Sequence, residues 1–129
     1  MAIELYNDGT HKCFSYEDLV GSRGVQSNQF LVVDNGHAAL IDPGGDLSYA
    51  GLYESLGHEV LVKDLDYVVA SHQDPDIVSS LSHWVAGTEC RIVVPKVWER
   101  FIPHLCRSAK VKEMEERLVS IPDQGQALE

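Results

Sequence analysis

Two short apolar runs, 29–33 and 38–41, flank the tripeptide Asp34-Asn35-Gly36. Asn-Gly supplies the positive φ angles of a tight turn, so the pattern predicts a β-hairpin. Asp42-Pro43-Gly44-Gly45 stops the second strand. Over 47–56, Leu47, Ala50, Gly51 or Leu52, and Leu56 recur at helical spacing, and Gly57 is a natural C′ residue. Strand-like runs then alternate with helical ones: strand 67–70, helix 77–85, strand 91–94, helix 97–105, strand 118–121. Gly87 closes one helix and Pro95 opens the next. Ile77, Val78, Leu81, Trp84 and Val85 form a broad stripe suited to packing on a sheet. Such alternation predicts an α/β unit built from βαβ crossovers, with helices on the sheet faces. No repeat or linker divides the chain, so one structural unit over 1–129 is expected. After 117–121, the segment Pro122 to Leu128 reads as a turn entering another strand, and the sequence reads as ending in mid-fold.

Composition narrows the function. The 129 residues are 44% hydrophobic and 23% charged, enough apolar material for a packed core. Twenty acidic against 10 basic residues give a net charge of -10, and no Lys/Arg cluster interrupts it, which excludes nucleic acid and anionic membrane surfaces as expected partners. Cys13, Cys90 and Cys106 are odd in number and widely spaced, giving neither a disulfide framework nor a Cys-ligated metal site. Met1-Ala2-Ile3-Glu4 has no basic or apolar leader, and no run of about 18 apolar residues exists. A cytoplasmic, membrane-free protein is the expectation.

The segment 68–77 carries the densest chemistry: an apolar strand, then His72, Asp74 and Asp76 at alternate positions, then a helix. In extended backbone, residues two apart point the same way, and Pro75 keeps Asp74 out of the helical region. The three donors are therefore expected to converge at the C-terminal end of a strand, where open α/β sheets bind ligands. An imidazole with two carboxylates and no thiolate suits Fe, Mn or Zn. Residue types alone leave a second reading open: Asp74 as an N-cap and Asp76 as a first-turn acid, with no metal at all.

The hairpin from Asn28 to Gly44 and the run Leu65 to His72 resemble the opening hairpin and the metal-loop strand of metallo-β-lactamase-fold proteins. That resemblance implies the N-terminal half of an αββα sandwich, a mixed sheet with flanking helices. The fold's usual motif is His-x-His-x-Asp-His; here Asp74 stands at the second His and Ile77 at the last. These departures are similar to the flavo-diiron and related oxygen-binding di-iron proteins. The resemblance then implies a centre of two Fe, with Zn or Mn as alternatives, His72 and Asp74 on one iron and Asp76 on the other. A further His, a bridging carboxylate and a final His would lie beyond Glu129. The implied function is binding or reducing O₂ or NO, as a sensor or as a reductase fed by a flavodoxin- or rubredoxin-type electron donor. A metal-dependent hydrolase of the same fold, and a half-domain that binds no metal alone, are the other readings. A homodimer, or pairing with a missing half, is expected to cover the sheet edge that the missing half would leave open.

Other residues read as structural. Asp42 is a turn residue that can support the metal loop. His83 is a core or boundary residue, and His11, His37, His58 and His104 are structural or solvated. Trp84 and Trp98 occupy packing positions on helices. Cys90 and Cys106 are buried small hydrophobes or inert thiols. The run 110–117 is a solvated segment. Gly21-Ser22-Arg23-Gly24 lacks the Lys-Ser/Thr of a phosphate loop.

Overall fold

Asn35 and Gly36 have φ angles of 50° and 85°, the pair of positive values that turns β3 (Gln29–Asp34) back into β4 (His37–Ile41). The computed structural model describes residues 2–17, 19–20, 27–72, 74–102 and 111–128, and only the backbone of 75, 76 and 111. Before this hairpin lies another, β1 (Ala2–Asn7) with β2 (His11–Tyr16). After it come α1 (Asp46–Leu56), β5 (Tyr67–Val69), α2 (Pro75–Val78), α3 (Leu81–Gly87), β6 (Arg91–Pro95), α4 (Val111–Glu116) and β7 (Leu118–Ile121). The seven strands form one sheet in sequence order, antiparallel from β1 to β4 and parallel from β4 to β7.

One row of register partners crosses six strands: Phe14, Leu31, Leu40, Val68, Ile92 and Leu118. These side chains join Leu52 and Leu56 of α1, Val78 of α2, Leu81, Trp84 and Val85 of α3, and Met114 of α4 in a single apolar cluster. Strand side chains alternate between faces, so the helices that share this cluster cover one face of the sheet. The adjacent row, Phe30, Ile41, Val69, Val93 and Val119, belongs to the opposite face. Leu128 lies there beside Val32, Ala39 and Tyr67. Among the described residues, the expected flanking helices are thus present on one side of the sheet.

Several predicted elements change shape. The helix expected over 77–85 is two pieces, α2 and α3, because Ser80 leaves the helical ladder: its N–H and its hydroxyl both donate to the Gly44 carbonyl, at 3.1 and 2.7 Å. The helix expected over 97–105 gives way to a 3₁₀ turn, Lys96–Trp98; residues 103–105 lie outside the described residues. Gly57 ends α1 with φ of -61°, so the left-handed closure expected there is absent. The run 110–117 contains α4, which buries Met114. The β1–β2 hairpin was not predicted at all.

Tyr16 and Gln29 are register partners, both fully buried on the helix side. Gln29 Nε2 donates to Ser27 Oγ at 2.8 Å, whereas the Tyr16 hydroxyl and Gln29 Oε1 find no partner among the described residues. Burial, reinforced by the nearby Glu59 charge, pushes the Tyr16 phenol above its ordinary range. The unfolded chain releases this proton near pH ~10 while the folded chain keeps it, so the stability it contributes is whole below that pH and is lost as pH rises. Tyr16→Phe is expected to change stability little at pH 7, since an unpaired hydroxyl is removed, and to flatten the alkaline decline measured by urea unfolding. Equal alkaline slopes for the two proteins would contradict the assignment.

Candidate functional site

Strand β5 ends at Val69, and Ala70 still donates to the Val93 carbonyl of β6 at 2.8 Å. The backbone then turns out of the sheet through Ser71 and His72 towards α2. What fixes this departure is the turn after β4. Asp42, with φ of 57°, donates its N–H to the Val69 carbonyl at 2.8 Å. Its carboxylate accepts the Ser71 N–H at 2.9 Å and the Ser71 hydroxyl at 2.7 Å. Left-handed backbone is tolerated by Asp better than by most residues, and here the bonds to the neighbouring strand sustain it.

Two residues on, Gly44 donates to the Ile77 carbonyl at 2.6 Å and accepts from Ser80. Its φ of 80° and the position of Ser48 Oγ, with which a Cβ would collide, require glycine. Trp84 Nε1 donates to Ser80 Oγ at 3.3 Å, tying the same turn to the core. The segment 71–80 is therefore strapped at both ends to residues 42–44.

Within that strapped segment lie all three predicted donors. His72 is exposed; its Nδ1 accepts the Asp74 N–H at 3.2 Å, and its ring meets Trp98 at 5.1 Å between centroids and 74° between planes. In neutral His72 that bond places the ring proton on Nε2, so a cation taken at either nitrogen requires the bond to give way. Asp74 is half-buried and occupies the N-cap position of α2, its carbonyl accepting the Ile77 and Val78 N–H groups at 2.9 and 3.1 Å. Asp76 lies on α2 itself, placed by its backbone. The donor types suit an oxygen-favouring ion such as iron. Among the described residues, no group of three His, Cys, Asp or Glu side chains is gathered as a metal would require; the Asp76 side chain is outside that description.

Remaining histidines sit apart. His83 stacks on Tyr49 at 4.6 Å and pairs with Asp46 at 3.1 Å, on the boundary as expected. His11 pairs with Asp8 and Asp34, and His37 with Asp66. His104, Cys106 and the glycines 21 and 24 lie outside the described residues. Cys90 is buried, which raises its thiol pKa and keeps it protonated. Trp98, expected on a helix face, instead belongs to the 3₁₀ turn after β6 and touches His72. Nothing in the linear pattern pairs residue 98 with residue 72, because their contact arises only when β5 and β6 align. No helix among the described residues is long and apolar enough to cross a membrane.

Residues 25–129 match the family described as ODP family beta lactamase. The chain belongs to that family. Two solved structures of a chemotaxis sensor ODP superpose with a TM-score of 0.77 each. The first, a peroxy diiron species, is 31% identical and covers 98% of this chain and 48% of its own. The second, an apo state from T. denticola, is 33% identical and covers 99% and 48%. A protein of Synechocystis sp. with the provisional name diflavin flavoprotein A 4 is 34% identical over 88 residues, 64% of this chain and 14% of that one. The chain thus spans about half the length of the solved relatives it matches. Its mixed seven-stranded sheet with helices is the metallo-β-lactamase-type α/β fold expected from the sequence.

Asp42→Ala removes both bonds to Ser71. It is expected to lower stability by about 2 kcal/mol in urea unfolding, with Asp42→Asn intermediate, since an amide retains one acceptor. An unchanged midpoint in both variants would mean that Ser71 is held without this side chain.

Proposed function

We propose that this chain is the amino-terminal part of a di-iron protein that binds O₂ or NO, with His72, Asp74 and Asp76 among its metal donors. The observation that carries this reading is the likeness, along nearly the whole chain, to a chemotaxis sensor solved as a peroxy diiron species. The imidazole and two carboxylates at the end of β5 support it on chemical grounds: they offer nitrogen and oxygen donors and no thiolate. Iron, when bound, would supply the redox chemistry that holds a diatomic gas. The chain's own contribution is positional. His72 provides a neutral donor, the two aspartates offset the charge of the metal, and the bonds from Asp42 and Gly44 hold the segment that carries them.

Sensing is preferred to turnover because the more extensive likenesses are to a sensor. The flavoprotein likeness keeps a second reading, a reductase module that receives electrons from a flavodoxin- or rubredoxin-type partner. A homodimer, or pairing with a second half-domain, is part of the proposal, because the opposite sheet face carries Phe30, Val32 and Ile41 with none of the described helices over it.

Anaerobic Fe(II) loading followed by iron analysis tests the centre, on this chain and on one extended by the remaining family half. About two irons per extended chain are expected, lost in His72→Ala and Asp76→Ala. Slow-decaying O₂ binding without turnover fits the sensor, and NO or O₂ consumption with a reduced flavodoxin fits the reductase. Zinc uptake with hydrolysis of a chromogenic ester, or no iron in either chain, would overturn the proposal.

A further inference from the structure

We propose that Trp98 is the positioning residue of the site, holding the His72 imidazole at the end of β5 where it can serve as a metal donor. The inference rests on the metal reading of His72. Its basis is the environment of that ring. His72 is exposed, and an exposed side chain on a connecting segment loses rotamer freedom when it binds, a cost that weakens the site unless the ring is already ordered. Among the described residues, two contacts order it: the Asp74 N–H at Nδ1, 3.2 Å away, and the Trp98 ring, 5.1 Å away and nearly perpendicular. The first cannot persist once a cation takes the imidazole, as the proton placement above requires. Trp98 is the contact that survives.

Trp98 is itself well anchored. It is half-buried, packs against the main apolar cluster, and leans on Phe101 at 6.3 Å. Its backbone lies in the 3₁₀ turn that follows β6, the strand paired with β5, so the sheet fixes the spacing between the two rings. A perpendicular aromatic pair is favourable by the quadrupole of the indole and needs no proton on either nitrogen, so it operates in whichever tautomer the metal selects. Outer residues that orient a ligating histidine commonly change metal affinity by about 10–100-fold when removed.

The test uses this chain and the form extended by the remaining family half, with cobalt(II) as the probe ion followed by absorption titration, and ¹H–¹³C spectra of the histidine rings. Trp98→Ala is expected to weaken cobalt binding about tenfold, Trp98→Phe to restore it to within about twofold, and Val97→Ala, at an exposed position of the same 3₁₀ turn, to leave it unchanged. The ring-current shift of the His72 protons should vanish in Trp98→Ala and persist in Trp98→Phe. Unaltered cobalt affinity in Trp98→Ala, with the His72 shift lost, would overturn the positioning role and leave the metal site standing. Failure of both the wild-type chain and its extended form to bind cobalt, while the His72 shift is present, would overturn the metal reading and, with it, this inference.

Discussion

The bonds between the Asp42 to Gly45 turn and residues 69–80 are the constraint on which the rest of the site depends. A parallel strand delivers its end to one rim of the sheet, yet nothing in the strand itself dictates how the chain leaves. Here the departure is dictated from the neighbouring strand: Asp42 bonds Val69 and Ser71, and Gly44 bonds Ile77 and Ser80. Left-handed backbone at 42 and 44 makes these bonds geometrically available. Without them the donors would ride on a free connection, where alternate spacing has no meaning because the backbone need not be extended.

The same turn shapes the core. By drawing Ser80 away from its helical partners it splits one apolar stripe into α2 and α3, and the Trp84 indole follows through its bond to Ser80. Trp84 is fully buried beneath Tyr49 and Tyr53, so packing of α1 on α3 and placement of the 71–80 segment share one anchor. A polar strap inside an apolar cluster is tolerable because each of its donors finds an acceptor.

Much of this was legible in the linear pattern where local physics decides. The Asn35-Gly36 turn, the strands of the parallel half and the region of α1 follow from turn chemistry and periodicity alone. The β1–β2 hairpin escaped because β1 is an edge strand, almost wholly exposed and bulged between Glu4 and Tyr6, so its alternation is weak. Its turn did carry a signal. Asp8 accepts the Thr10 and His11 N–H groups, and Asn7 accepts that of Gly9, the local side-chain bonding that Asn-Asp-Gly announces. Those same bonds hold the Asp8 carboxyl well below the usual carboxylate range. Of the candidate site, the alternate spacing of His72, Asp74 and Asp76 was readable, and the bonds that hold their segment were not. Ser80 as a helix breaker and Trp98 as a neighbour of His72 are products of tertiary register, which no window of sequence contains.

The bonds that shape the 71–80 segment join residues far apart in the chain: 29 positions separate Ser71 from Asp42, and 36 separate Ser80 from Gly44. A peptide cut from residues 67–80 would therefore carry every donor atom in the right order and none of the constraint. The motif is a short word whose meaning is kept elsewhere in the sentence, in four residues that contribute no proposed donor. Transplanting the site to another scaffold means moving Asp42-Pro43-Gly44-Gly45 and its strand along with His72-x-Asp74-x-Asp76, because the smallest unit that holds the geometry is the β4–α1–β5 crossover with the start of α3.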